Sequence, residues 1–138
     1  METIASLESQ LSSLLPGLMG IQLREAGKDR IVATMSVRAD LCTVGGVLHG
    51  GAMMAFADTL GAVATFQNLP KGAGTTTIDS NTKFIGSAPL GTTVVGECIP
   101  FHRGRTTMVW QTLIKSESGK LCAVVTQTQL ICPPRRFR

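Results

Sequence analysis

No tyrosine occurs among the 138 residues, and five Phe and one Trp make up the whole aromatic complement. Surfaces that hold single-stranded nucleic acid by stacking draw on such rings, so no nucleic-acid partner is expected. Long apolar runs are missing too. Nothing approaches the roughly 18 consecutive apolar residues that span a bilayer, so no membrane partner is expected either. Glu2 and Glu8 interrupt the beginning, where a secretory leader would carry its apolar stretch. The four cysteines, Cys42, Cys98, Cys122 and Cys132, form no Cys-x-x-Cys pair, and two histidines do not complete a zinc pattern. Three of them, Cys98, Cys122 and Cys132, fall in strand-like segments, where buried, reduced thiols are expected. No metal site and a cytoplasmic setting follow from this reading.

Charge is also scarce, at 16% of residues against 43% hydrophobic, and the mean hydropathy is +0.23. That composition suits a compact globular protein, a single domain over residues 1–138 with apolar surface to spare for an oligomer interface. The charge that is present leans one way. Thirteen basic and nine acidic residues give a net +4, which favours an anionic ligand. Basic residues form no run apart from Arg135, Arg136 and Arg138, which read as a solvated tail.

What the chain does have is concentrated between Val47 and Ala62. His49-Gly50-Gly51 opens an apolar, alanine-rich helical segment with one carboxylate, Asp58, in its middle. Aspartate is a poor helix former and is rarely buried without a partner. At about 100° per residue, Gly51, Met54, Ala55, Asp58, Gly61, Ala62 and Thr65 share a face, while Met53, Phe56, Leu60 and Val63 point mostly elsewhere. Small residues around the acid leave room for a ligand. Glycines at the helix start present N–H groups with no intrahelical partner, at the positive end of the helix dipole. The pattern reads as an oxyanion site at one end of a face, with a general base or nucleophile further along it. The plain alternative is a turn made by the glycines and an aspartate bonded to neighbouring backbone.

The remainder supplies an α+β frame. Ile4, Leu7, Leu11, Leu14 and Leu15 mark an amphipathic helix with Thr3 as N-cap, ended by Pro16-Gly17. Strands are expected near 18–26 and 29–38, a loop over 40–48, and the long helix over 49–67. Four strands rich in Thr, Val and Ile follow, over 75–85, 92–102, 105–115 and 120–132, antiparallel where the turns are short.

Together these pieces resemble the hotdog-fold acyl-CoA thioesterases, particularly the phenylacetate-pathway and 4-hydroxybenzoyl-CoA thioesterase group. The resemblance runs from about Met19 to Ile131. It rests on Gly46-Val47-Leu48-His49-Gly50-Gly51 followed by Ala57-Asp58, on Asn81-Thr82-Lys83-Phe84-Ile85 before Gly86-Ser87-Ala88-Pro89, and on Phe101-His102-Arg103-Gly104-Arg105. It implies a curved antiparallel sheet wrapped around the central helix, a homodimer joined edge to edge, often paired into a homotetramer, with active sites at the dimer interface. Asp58 would then act, as general base or nucleophile, on a thioester whose carbonyl binds the Gly51 N–H of the opposing subunit. His49 would order the loop or bond near the thioester. Thr43 stands where the family often has Asn or Gln, and a family hydroxyl one turn after the acid falls on Ala62. Thr77, or Thr76 if the loop shifts by one, matches a Ser/Thr position that could hold water or polarise the carboxylate.

Coenzyme A would account for the positive charge without nucleic acid. Arg103 and Arg105 flank the Gly104 turn and could fork onto its phosphates, with His102, Lys83, Lys120, Gly50 and the C-terminal arginines as further candidates for contacting the substrate. The implied reaction is hydrolysis of an acyl- or aroyl-CoA to the free acid and coenzyme A, with no metal or redox cofactor. Two alternatives are a hydratase or dehydratase on the same fold, and a non-catalytic acyl-CoA-binding protein.

Overall fold

In a computed structural model, which describes residues 1–135, alternation of burial along the strands builds most of the protein. Along β7 (Thr107–Ser116), Met108, Trp110, Thr112 and Ile114 are buried and the residues between them are half-exposed. That period of two is what a sheet with one covered face requires. The sheet has six strands: β1 (Gln22–Ala26), β2 (Ile31–Ser36), β5 (Gly74–Phe84), β6 (Thr93–Arg103), β7 and β8 (Leu121–Cys132). They hydrogen-bond in the order β1-β2-β6-β7-β8-β5, antiparallel at every pairing.

The covered face lies under the long helix α3 (Gly50–Phe66), which packs on β2, β5, β6, β7 and β8. Phe56 and Leu60 are fully buried there, each stabilising by about 1.5–3 kcal/mol. Gly96 of β6 is what lets them approach: a Cβ at that position would lie 2.8 Å from Leu60 Cδ2 and 3.0 Å from the Phe56 ring. Trp110, the largest buried side chain, donates from Nε1 to Thr65 Oγ1 at 2.9 Å, and that hydroxyl donates to the Gly61 carbonyl at 2.8 Å. The α+β expectation holds, and the long helix and four later strands fall within a residue or two of their expected bounds.

Three expectations change. The first helix, α1 (Ile4–Leu11), is capped by Thr3 as expected but ends before Pro16-Gly17. Those residues instead belong to a short helix, α2 (Leu15–Leu18), because proline suits a first helical turn. The first strand therefore begins at Gln22 rather than near residue 18. The expected loop over 40–48 holds a 3-10 turn (Ala39–Leu41) and a small hairpin, β3 (Cys42–Thr43) and β4 (Val47–Leu48). Gly45 and Gly46, at φ 101° and 76°, make its turn possible. Cys98 and Cys122 are buried, whereas Cys132 is only half-buried at the end of β8; all four are free thiols. Of the basic tail, Arg136 and Arg138 lie outside the described residues.

Two further features bear on the site. β5 is an edge strand of 11 residues, exposed along most of its length, with Ile78 and Phe84 more than half exposed. It carries an extra residue: Thr77 pairs with Gln129 and Asp79 with Thr128, leaving Ile78 as a bulge. At the other side, Gln67, which caps the C-terminal end of α3, bolts down the N-terminus. Its amide accepts from the Glu2 N–H (3.0 Å) and donates to the Glu2 carbonyl (2.9 Å).

Replacing Gly96 by valine should overpack the helix–sheet contact and cost about 1–3 kcal/mol. Urea unfolding at fixed protein concentration checks it; an unchanged midpoint would mean that α3 has slack at this point.

Candidate active site

Asp58 sits in the middle of α3, half-buried on the flank that faces β5 and β8. One carboxylate oxygen is held from two sides. Thr77 Oγ1 of β5 donates to Oδ1 at 2.6 Å, and Gln127 Nε2 of β8 donates to the same atom at 3.2 Å. The Thr77 hydroxyl is itself oriented, because Gln129 Nε2 donates to it at 2.7 Å and Thr75 Oγ1 donates to Gln129 Oε1 at 3.0 Å. A hydroxyl that accepts from Gln129 has its own proton free for Asp58, so the Gln129 and Thr77 donors both point toward the acid, while the one Thr75 proton is shared between Gln129 Oε1 and the Leu130 carbonyl at 2.9 Å. Oδ2 has no hydrogen-bond partner among the described residues. One oxygen is pinned and the other is available.

Gln127 and Gln129 are almost fully buried, and sequence reasoning missed both. A weak signal was present: in Ala123, Val125, Gln127, Gln129 the inward parity of a strand switches from apolar to amide. Gly61 makes room for the first of these. A Cβ there would lie 2.2 Å from Gln127 Cδ. The small residues on this side of α3 therefore do two jobs. Gly61 and Thr65 turn into the sheet and are buried, contrary to the expectation that they flank a ligand, whereas Ala55 and Ala62 line open space. That space is a cleft of about 300 Å³ between α3 and the N-terminal helices, with Asp58 in its wall.

The helix start is built as follows. His49 is the N-cap of α3, and its Nδ1 accepts the Gly51 N–H at 2.7 Å. The donor expected to hold a carbonyl is thus satisfied by the preceding imidazole in this conformation. The Gly50 N–H has no partner among the described residues, and the Phe84 ring lies over Gly50, 3.0 Å from where a Cβ would be. Thr43 is exposed in the β3–β4 hairpin that leads into this helix end. His49 and Gly51 line a second cleft of about 280 Å³, which shares Leu15 and Ala55 with the first.

Of the remaining candidates, Thr76 is exposed on the opposite parity from Thr77, so Thr77 is the hydroxyl that meets the acid. Lys83 is exposed on that same outward parity of β5. Arg103 is engaged: its guanidinium pairs with Asp29 and donates to the Lys28 carbonyl, tying the β6–β7 turn to the β1–β2 turn. Arg105 is exposed and makes no ion pair among the described residues. Gly104 closes the turn through its N–H to the Thr107 carbonyl, and His102 packs against it so closely that a Cβ would lie 2.5 Å from Nε2. Among the described residues no cluster of three or more His, Cys, Asp or Glu could hold a metal, and no helix is long and apolar enough to cross a membrane. Burial pushes the Cys98 thiol up to about 12, which leaves it un-ionised and inert at neutral pH.

Comparison with known proteins identifies the family and the fold. The Thioesterase superfamily profile matches residues 45–123, from the hairpin before α3 into β8. A putative esterase of Haemophilus influenzae is 34% identical over 122 residues, 88% of either chain. The 1,4-dihydroxy-2-naphthoyl-CoA hydrolase of Escherichia coli is 32% identical, over 87% of this chain and 88% of that protein. A crystal structure of a thioesterase from Haemophilus influenzae superposes with a TM-score of 0.93 at 30% identity, covering 100% of this chain and 96% of that one. The chain belongs to the thioesterase superfamily, in its hotdog fold, and is an enzyme of the thioester-hydrolysing kind.

Removing either donor should leave the fold and impair the acid. Thr77→Val and Gln127→Leu each delete a hydrogen bond to a charged group, about 1.5–3 kcal/mol, and should lower kcat about 10-fold with KM little changed. Thr77→Ser should restore most of the loss. Equal kcat in Thr77→Val and wild type would remove the hydroxyl from any positioning role.

Proposed function

We propose that this protein hydrolyses acyl- or aroyl-CoA thioesters to the free acid and coenzyme A, with Asp58 as general base or nucleophile. The observation that carries the reading is a carboxylate with one oxygen tethered to Thr77 and Gln127, and its other oxygen unpaired beside an apolar cleft. As a base, Asp58 takes a proton from water, and the hydroxide adds to the thioester carbonyl. Charge then gathers on the carbonyl oxygen, the C–S bond breaks, and the proton passes to the coenzyme A sulfur. As a nucleophile, a carboxylate oxygen adds instead, coenzyme A leaves as thiolate, and water hydrolyses the resulting anhydride. Both routes draw on water and on the protein's own groups.

The helix start supplies the oxyanion donors in this reading. Gly51 and Asp58 are seven residues apart, roughly 10 Å along the helix axis, so one carbonyl cannot touch both within a single chain. Two copies solve this. A two-fold pairing of the free β5 edges runs antiparallel, and brings the Phe84 end of one strand, which abuts Gly50, beside the Thr77 region of the other, which holds Asp58. The site then takes its acid from one protomer and its helix-start N–H groups from the partner. His49 yields or shares the Gly51 N–H when the carbonyl arrives, with the Gly50 N–H beside it.

Incubating an acyl-CoA panel with a thiol-trapping dye should reveal thiol release by wild type. Asp58→Asn should lose about 10²–10⁴-fold in kcat with its oligomer intact by light scattering. Equal turnover by the two proteins would end the assigned role, and a fully active monomer would end the shared site. For the phosphates of coenzyme A, Arg105 is the guanidinium of the two that makes no ion pair among the described residues. Arg105→Ala should chiefly raise KM, whereas Arg103→Ala should chiefly loosen the turn it ties to Asp29; the opposite pattern would reverse these roles.

A further inference from the structure

Gln127 does more than add a second donor to the acid. Its Nε2 lies 3.2 Å from Asp58 Oδ1 and 3.5 Å from the main-chain carbonyl oxygen of the same residue. An amide nitrogen carries two protons, so one group spans the side chain and the backbone of Asp58. We propose that Gln127, seated over Gly61, is a torsional lock on Asp58: it fixes the side-chain angle of the acid and so aims Oδ2 at the thioester. Gln127 is thus a positioning residue, and the role rests on the thioester-hydrolase reading of Asp58.

The helix does not hold its own acid. Thr59 turns its hydroxyl back to the Ala55 carbonyl at 2.8 Å, and Ala62, one turn further along, has no polar atom in its side chain. The side-chain donors to Asp58 among the described residues, Thr77 and Gln127, both come from the sheet. Thr77 meets Oδ1 at a single point, about which Oδ2 is free to swing. A second group that reaches both Oδ1 and the backbone removes that freedom.

The arrangement is costly on two elements at once. Gln127 is 1% exposed and follows Ala123 and Val125 on the inward parity of β8, where an apolar side chain would pack without loss. With its nitrogen committed to Asp58, its Oε1 is buried with no partner among the described residues, and packing alone gives no reason to accept that penalty. Gly61 is the other half of the device. A Cβ there would lie 2.2 Å from Gln127 Cδ and 2.4 Å from each end atom of the amide, so the amide occupies the space that any other residue at 61 would fill. Glycine within a helix lowers its stability. Two unfavourable choices, one on α3 and one on β8, converge on a single carboxylate.

The first test needs no turnover. Gly61→Ala, Gln127→Ala and the double variant are unfolded in urea at one protein concentration. In wild type the added methyl group strikes the amide, so Gly61→Ala should lower the midpoint. In Gln127→Ala the methyl group enters the vacated space and helix propensity takes over, so the same substitution should raise it. A shift of the same sign in both backgrounds would overturn the interlock. The second test reads the aim of the acid. Gln127→Leu should lower kcat about 10-fold with KM little changed. Ala62→Ser places a hydroxyl one turn from Asp58, within reach of its carbonyl or its carboxylate. Added to Gln127→Leu, it should return kcat to within about 3-fold of wild type, whereas Ala62→Val, which adds bulk without a donor, should return nothing. Equal kcat in Gln127→Leu and wild type, or equal recovery by Ala62→Ser and Ala62→Val, would overturn the lock while leaving the hydrolase reading standing. Opposite signs in urea, without thiol release by wild type from any acyl-CoA, would uphold the interlock and overturn the hydrolase reading on which its purpose rests.

Discussion

Two glycines set how closely α3 lies on the sheet. Gly96 sits beneath Leu60 and Phe56, and Gly61 sits above the Gln127 amide. Close approach matters because side-chain amides have short reach. With the helix pressed down, an amide rooted in β8 and a hydroxyl rooted in β5 converge on one oxygen of Asp58. A helix lifted by one methyl group at Gly61 would meet the amide head-on and push it aside. The acid therefore owes its orientation to backbone packing as much as to its named partners.

The direction of the hydrogen bonds adds a second constraint. Gln129 donates to Thr77 and Thr77 donates to Asp58, so both bonds run toward the acid. Gln127 turns its nitrogen to the carboxylate and leaves its own Oε1 buried with no partner among the described residues. An orphaned buried acceptor costs stability. The arrangement accepts that cost to place two donors on one carboxylate oxygen and none on the other, which suits a group that must bond to water or to a carbonyl carbon in mid-reaction.

Much of this was legible in the residues alone. The long helix was readable because Ala52, Ala55, Ala57, Ala62 and Ala64 give it propensity, and the later strands because Thr, Val and Ile alternate between Gly- and Pro-bearing turns. The Thr77 alternative was legible only as one of two adjacent hydroxyls, and the parity of β5 decided between them. Gln127 was out of reach for a different reason. It meets Asp58 across 69 positions of chain, and nothing local to α3 says that the space over Gly61 belongs to a strand rather than to a ligand. Helical spacing put Gly61 near the edge of the acid's face, where side-chain size cannot tell floor from wall. The Arg103–Asp29 pair was out of reach on similar grounds, since its members lie 74 positions apart on different turns.

The bulge at Ile78 has an arithmetical result. Thr77 and Phe84 both point toward α3, the first to the acid and the second to the helix start, yet they stand an odd number of positions apart, seven. Along an uninterrupted ribbon they would project to opposite sides. The surplus residue shifts the phase by one and reconciles the two. Even-numbered insertions or deletions downstream could preserve that agreement, while odd ones would break it, so this strand can drift in length only in pairs.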